Sequence, residues 1–144
     1  MIKSDDLINR ILDAPVGQVV TVLGEALNCV IDLKVIEQNA ITPHQFVRKV
    51  TINANGLPVI KALVKFDSTI LPESIMDELL KKKRGVGTIL NVNNIKATRN
   101  VVFLNRNPNG NIISREYEII KNGIVWFKIF EEINLDNLSS NKNS

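Results

Sequence analysis

Aromatic side chains are scarce in this sequence: Phe, Tyr and Trp together make up 5% of 144 residues, with one tyrosine and one tryptophan. A core built from it must be aliphatic, and its strands offer no stacking platform for single-stranded nucleic acid. Cysteine occurs once, at Cys29, which excludes an intrachain disulfide framework and fits a reducing compartment. Histidine also occurs once, at His44, with no second histidine and no cysteine near it to make a metal site, and no Ser/His/Asp set is evident. No apolar run approaches the ~20 residues that would span a bilayer. The first residues, Met1 to Asp6, hold neither the basic nor the apolar stretch of a leader. The expectation is a protein away from membranes, in the cytoplasm or a comparable organellar matrix such as a plastid stroma.

What is present suits a single small domain. Apolar residues make up 44% and charged residues 23%, with 18 Lys and Arg against 15 Asp and Glu, a net charge of +3. The one dense basic run, Lys81-Lys82-Lys83-Arg84, reads first as a solvated helix end, where cations favour the C-terminal dipole. A phosphate-binding stripe is the lesser alternative, and no nucleic-acid partner is expected. Cys29 opens an apolar strand and reads as packing.

Periodicity places a helix from Ser4 with Leu7, Ile8, Ile11 and Leu12 as its apolar stripe, ended by Pro15 and Gly17, and a second helix over Val19 to Leu27. Strands follow over Cys29 to Gln38, Gln45 to Asn53 and Pro58 to Phe66, the last two joined by the hairpin signal Asn55-Gly56. Leu71-Pro72 opens a helix through Leu80, and Gly85-Val86-Gly87 turns into a short helical segment over Thr88 to Leu90. Three more strands read as Ile95 to Leu104, Ile112 to Lys121 and Ile124 to Ile133, with Asn122-Gly123 between the last two. The result is α+β: a largely antiparallel six-stranded sheet with flanking helices, one domain over residues 1–134 and a frayed tail over 135–144.

Charges fall on the apolar faces of these strands. In Phe46-Val47-Arg48-Lys49-Val50-Thr51-Ile52, alternation puts Arg48 with Phe46, Val50 and Ile52. A guanidinium is rarely buried without a partner, so a protein carboxylate pairs with Arg48 or the core holds a pocket for an anion. Arg115 shares the face of Ile113, Tyr117 and Ile119, and Arg99 that of Ile95, Ala97, Val101 and Phe103. Both also have structural readings: a strand-end arginine that snorkels, or a cross-strand ion pair. Parity makes Glu131 the inward acid and Glu132 the outward one, unless a bulge reverses them. Arginines and a carboxylate lining an aliphatic cavity suit a small apolar-bodied anion.

The order of these features resembles the chorismate lyase-like family. The carrying segments are Phe46-Val47-Arg48-Lys49-Val50, Asn55-Gly56-Leu57-Pro58 with Ala62, Leu71-Pro72, Gly85-Val86-Gly87-Thr88-Ile89-Leu90, and Arg115-Glu116-Tyr117-Glu118-Ile119 running through Gly123 to Ile129-Phe130-Glu131. The resemblance implies an antiparallel sheet with flap-like helical segments closing over a buried ligand. By it, Arg48 binds the substrate carboxylate, Val86 and Gly87 form the flap turn, Glu131 faces the ring hydroxyl as the catalytic acid or base, and Val19 touches the ligand. Arg115 would meet a second carboxylate. Gly85 and Val86 depart from the family's proline and leucine, which implies a looser flap. The implied activity is a carbon-oxygen lyase that eliminates pyruvate from chorismate to leave 4-hydroxybenzoate. No cofactor is expected, because aromatisation supplies the drive. The implied partner is chorismate or a similar aromatic acid, taken by a monomer or small homo-oligomer. The same fold type serves as the effector domain of transcription regulators, where a DNA-binding winged helix lies upstream. With none before residue 1, the expectation is the enzyme, and a non-enzymatic effector-binding domain is the alternative.

Overall fold

A computed structural model describes residues 4–142. Its centre is a six-stranded antiparallel sheet in the order β1-β2-β3-β6-β5-β4. The strands are β1 (Ile31–Ala40), β2 (Gln45–Ala54), β3 (Leu57–Asp67), β4 (Thr98–Arg106), β5 (Ile112–Lys121) and β6 (Ile124–Asn134). They form two meanders, β1-β2-β3 and β4-β5-β6, joined where β3 pairs with β6. Both tight hairpins use Asn-Gly. Asn55 and Gly56 have φ of 50° and 80°, Asn122 and Gly123 of 52° and 77°, and a two-residue turn matching the strand twist needs that left-handed pair.

Among the described residues there are also five helices: α1 (Ser4–Asp13), α2 (Val19–Leu27), α3 (Glu73–Leu80), α4 (Val86–Val92) and α5 (Leu135–Lys142). The predicted α+β architecture, an antiparallel sheet with flanking helices, is the one observed. Helices α1, α2 and α5 bury Leu7, Ile11, Leu23 and Leu138 against Ile60, Ile113 and Ile133. Helices α3 and α4 bury Ile75, Leu79, Ile89 and Leu90 against Val64, Ile119, Phe127 and Ile129. The two packings meet over the middle of the sheet.

Two expectations differ from the structure. Residues 135–142 are helical where the sequence suggests a frayed tail. Leu135 and Leu138 lie one turn apart and both bury in the core, while the Asn134 side chain accepts the Asn137 N–H at 3.0 Å. Positions 143 and 144 lie outside the described residues. Phe103 does not share the face of Val101. A bulge at Val102 places Phe103 opposite Glu116, an outward residue, and brings Leu104 opposite Arg115.

Candidate functional site

Where the two helical packings meet, a cavity of about 100 Å³ remains above the sheet. Its floor is aliphatic: Val50, Ile60, Ala62, Val64, Ile119 and Ile129. Its roof is the segment from Val16 to Val20 and the start of α4 at Gly85 to Thr88. The two halves of the roof touch through glycines. A Cβ on Gly17, at φ +87°, would lie 2.7 Å from the Gly87 carbonyl oxygen, and one on Gly87 would lie 2.6 Å from the Gly17 Cα and N. Any side chain at either position would force the roof open.

The polar end of the cavity is built by three strands. Arg115 on β5 stands directly opposite Glu131 on β6, and its Nε donates to one carboxylate oxygen in a buried ion pair. The Tyr117 hydroxyl donates to the other oxygen at 3.1 Å. Burial, reinforced by repulsion from Glu131, pushes the Tyr117 hydroxyl well above its ordinary pKa, although Arg99 and Arg115 pull it down. The guanidinium carbons of Arg99 and Arg115 each sit 4.8 Å from the Tyr117 ring centroid. Both arginines also serve the end of α1, whose last carbonyls have no helical partner. Arg115 Nη1 donates to the Leu12 carbonyl at 3.1 Å, and Arg99 Nη1 to the Ala14 carbonyl at 2.5 Å. Those bonds hold the Val16–Gly17 half of the roof in place. Arg99 Nε and Arg115 Nη2 remain buried with no hydrogen-bond partner in the structure.

Arg48 lies elsewhere. It is 0% exposed and does not line the cavity. Its Nε donates to the Gln38 side-chain oxygen at 2.8 Å, Nη1 to the Arg84 carbonyl at 2.7 Å and Nη2 to the Leu79 carbonyl at 2.9 Å. Gln38 donates to the same Leu79 carbonyl at 3.0 Å. Burial lowers the Arg48 pKa to about 10, so the group remains charged at neutral pH. It ties β2 to the end of α3 and to the residue before the Gly85 turn. Neither partner expected from the sequence, a protein carboxylate or a bound anion, describes these contacts: the acceptors are an amide and two backbone carbonyls.

Of the other sequence-derived candidates, Val19, Val86, Gly87 and Glu131 line the cavity, and Arg115 stands behind Glu131 as its ion-pair partner. Glu132 is exposed on the opposite face, across from Lys61. Arg99 and Tyr117 also line the cavity, although neither is among the site residues expected from the sequence. The signal for Tyr117 is its place as the sole tyrosine, two residues from Arg115 on the inward face. The side chains of Lys81 to Arg84 are exposed, as a solvated helix end would leave them. Among the described residues no three His, Cys, Asp or Glu side chains converge on one point, and no helix is long and apolar enough to cross a membrane.

No protein-family profile matches the chain, and no curated protein matches it. Solved structures do match its fold. The effector domain of PhnF from Mycobacterium smegmatis aligns over 81% of this chain and 88% of its own, at 6% identity and a TM-score of 0.56. A GntR-family transcriptional regulator from Bacillus cereus aligns over 72% and 91%, at 10% identity and a TM-score of 0.51. The possible transcriptional regulator YydK from Bacillus subtilis aligns over 76% and 61%, at 15% identity and a TM-score of 0.53. The shared feature is the fold, the antiparallel α+β sheet that the resemblance implied. The lyase expectation is corrected by these matches, which are described as transcriptional regulators and an effector domain. Both groups assigned to the chemistry, Arg48 and Glu131, are also held by partners within the protein.

Proposed function

We propose that this domain binds, without converting it, a small organic anion with an apolar body, held in the cavity under the Gly17–Gly87 roof. The observation carrying this reading is the charge balance at the polar end. Glu131 is neutralised by Arg115, which leaves Arg99 as the surplus positive charge beside an aliphatic floor. Arg99 Nε, a buried donor without a partner, is suited to donate to a carboxylate oxygen there. Size limits the ligand. A hole of ~150 Å³ takes up benzene, so a cavity of about 100 Å³ suits a short-chain acid, and a larger aromatic acid requires the roof to lift. The likeness to an effector domain supports binding over turnover.

The test is calorimetric titration of the chain with a panel of short aliphatic and aromatic monocarboxylates, repeated on Arg99→Met. At least one acid is expected to bind and to raise the melting temperature, with affinity reduced roughly 10- to 100-fold in the variant. Binding that survives Arg99→Met unchanged, a panel with no binder, or release of pyruvate from chorismate would each overturn the proposal.

A further inference from the structure

Lys82, Lys83 and Arg84 are exposed, and among the described residues none of their side chains has an ion-pair or hydrogen-bond partner. Lys81, the first cation of the run, is matched by Glu78 at 3.1 Å. A solvated helix end does not by itself account for the other three. Lys82, just past α3, has a φ of 56°, a left-handed position that helices ordinarily give to glycine. The run is also fixed in place. Arg84 offers its carbonyl to the buried Arg48 at 2.7 Å, which holds the run against Gly85, where the α4 half of the cavity roof begins.

Positive charge concentrates at this connection. Arg48 has no carboxylate partner, so a fourth cation stands in the core behind the three exposed ones. These four exceed the net charge of +3 of the whole chain, so the remaining residues carry no net positive charge. Of the acids on adjoining elements, Glu37 is matched by Lys49 and Glu78 by Lys81. Asp13, Glu73 and Asp77 are unmatched but scattered, whereas the cations are contiguous. The cavity opens beside them. Among the residues lining it, Thr88 is the exposed one, and it lies four positions after Arg84 in the first turn of α4. From this placement we infer that Lys82, Lys83 and Arg84 make the mouth of the cavity anion-selective. Their field raises the concentration of anions at Thr88 and lowers that of cations. The inference rests on the cavity being an anion site, while the field itself belongs to the protein alone and can be measured without the ligand.

The probe is a thiol at the mouth: Thr88→Cys in a Cys29→Ser background, so that one cysteine remains. Its rates of labelling by an anionic methanethiosulfonate (the sulfonatoethyl reagent) and a cationic one (the trimethylammonioethyl reagent) are each divided by the rate with 2-mercaptoethanol, a neutral thiol. Any change in the ionisation of the thiol cancels in the ratio of the two. At an ionic strength of about 10 mM the anionic reagent should be favoured about 10-fold. The preference should fall to about 2-fold or less in about 0.5 M salt, and likewise when Lys82→Gln, Lys83→Gln and Arg84→Gln are combined at low salt. Circular dichroism and melting curves should show the combined variant folded. Equal normalised rates with the run intact overturn the inference, as does a preference that survives its neutralisation. A calorimetric panel with no binding acid overturns the proposed function by itself, because the labelling ratio requires no ligand.

Discussion

Gln38 and Arg48 stand directly opposite each other on β1 and β2 because the bulge at Ile36 shifts the register of β1 by one. Without that extra residue, alternation from Leu33 and Val35 would bring Glu37 inward. With it, Glu37 turns outward to meet Lys49 at 3.4 Å, and a neutral amide faces the buried guanidinium. Arg48 therefore keeps its charge free to attract the carbonyls of Leu79 and Arg84, which anchor the segment between α3 and α4.

Arg48 is accordingly a stability residue. Arg48→Met should lower unfolding free energy by about 2–4 kcal/mol, because it strands buried carbonyls that had a charged donor. Arg48→Lys should recover only part of this, since a point charge cannot reach three acceptors in different directions. Urea unfolding midpoints measure both. Unchanged midpoints would mean that these bonds contribute nothing.

The Arg115–Glu131 pair should behave as a coupled unit. Glu131→Gln and Arg115→Met should each cost about 3–5 kcal/mol by leaving a buried group uncompensated. The double variant should cost less than the sum of the two. A double-mutant cycle on denaturant unfolding decides this, and additive losses would show the pair is not coupled.

Tyr117 is the only tyrosine, so its ionisation can be read without assignment. Phenolate absorbance of the folded chain should be missing at pH ~10, where the urea-unfolded chain is half ionised. The sign for stability follows. The folded pKa is raised by burial and by Glu131, so this contribution is complete below about pH 10. It declines as pH climbs from there toward the folded value, because only the unfolded chain releases the proton. A folded chain that titrates normally would contradict the buried hydroxyl.

Gly87→Ala should lift the cavity roof. Its Cβ would meet backbone atoms of Gly17, which cannot swing aside as a side-chain tip can. A loss of about 1–3 kcal/mol is expected, with faster amide exchange over Val16 to Gln18. Full stability and unchanged exchange would show that the two segments do not touch.

Much of this fold is legible in the sequence because its causes are local. The Asn55-Gly56 and Asn122-Gly123 turns, the alternation along β2, β3, β5 and β6, and the helical stripe of α1 all arise from backbone period and turn chemistry. The inward positions of Arg48, Arg115 and Glu131 follow from the same parity. Phe103 departs from its expected face because a bulge inserts one residue without a compositional mark. Helix α5 is hidden in the sequence because its polar Asn and Ser outweigh Leu135 and Leu138, whose burial depends on a core formed by distant segments.

The chain's own chemistry, then, determined that Arg48, Arg115 and Glu131 turn inward, since strand alternation requires no knowledge of neighbours. Tertiary structure decided what each charge meets. Arg48 finds carbonyls 31 and 36 residues away, while Arg115 finds Glu131 opposite it on β6. Partner choice is set by which groups packing brings within hydrogen-bond reach once water is excluded, and no local pattern along the chain encodes that distance.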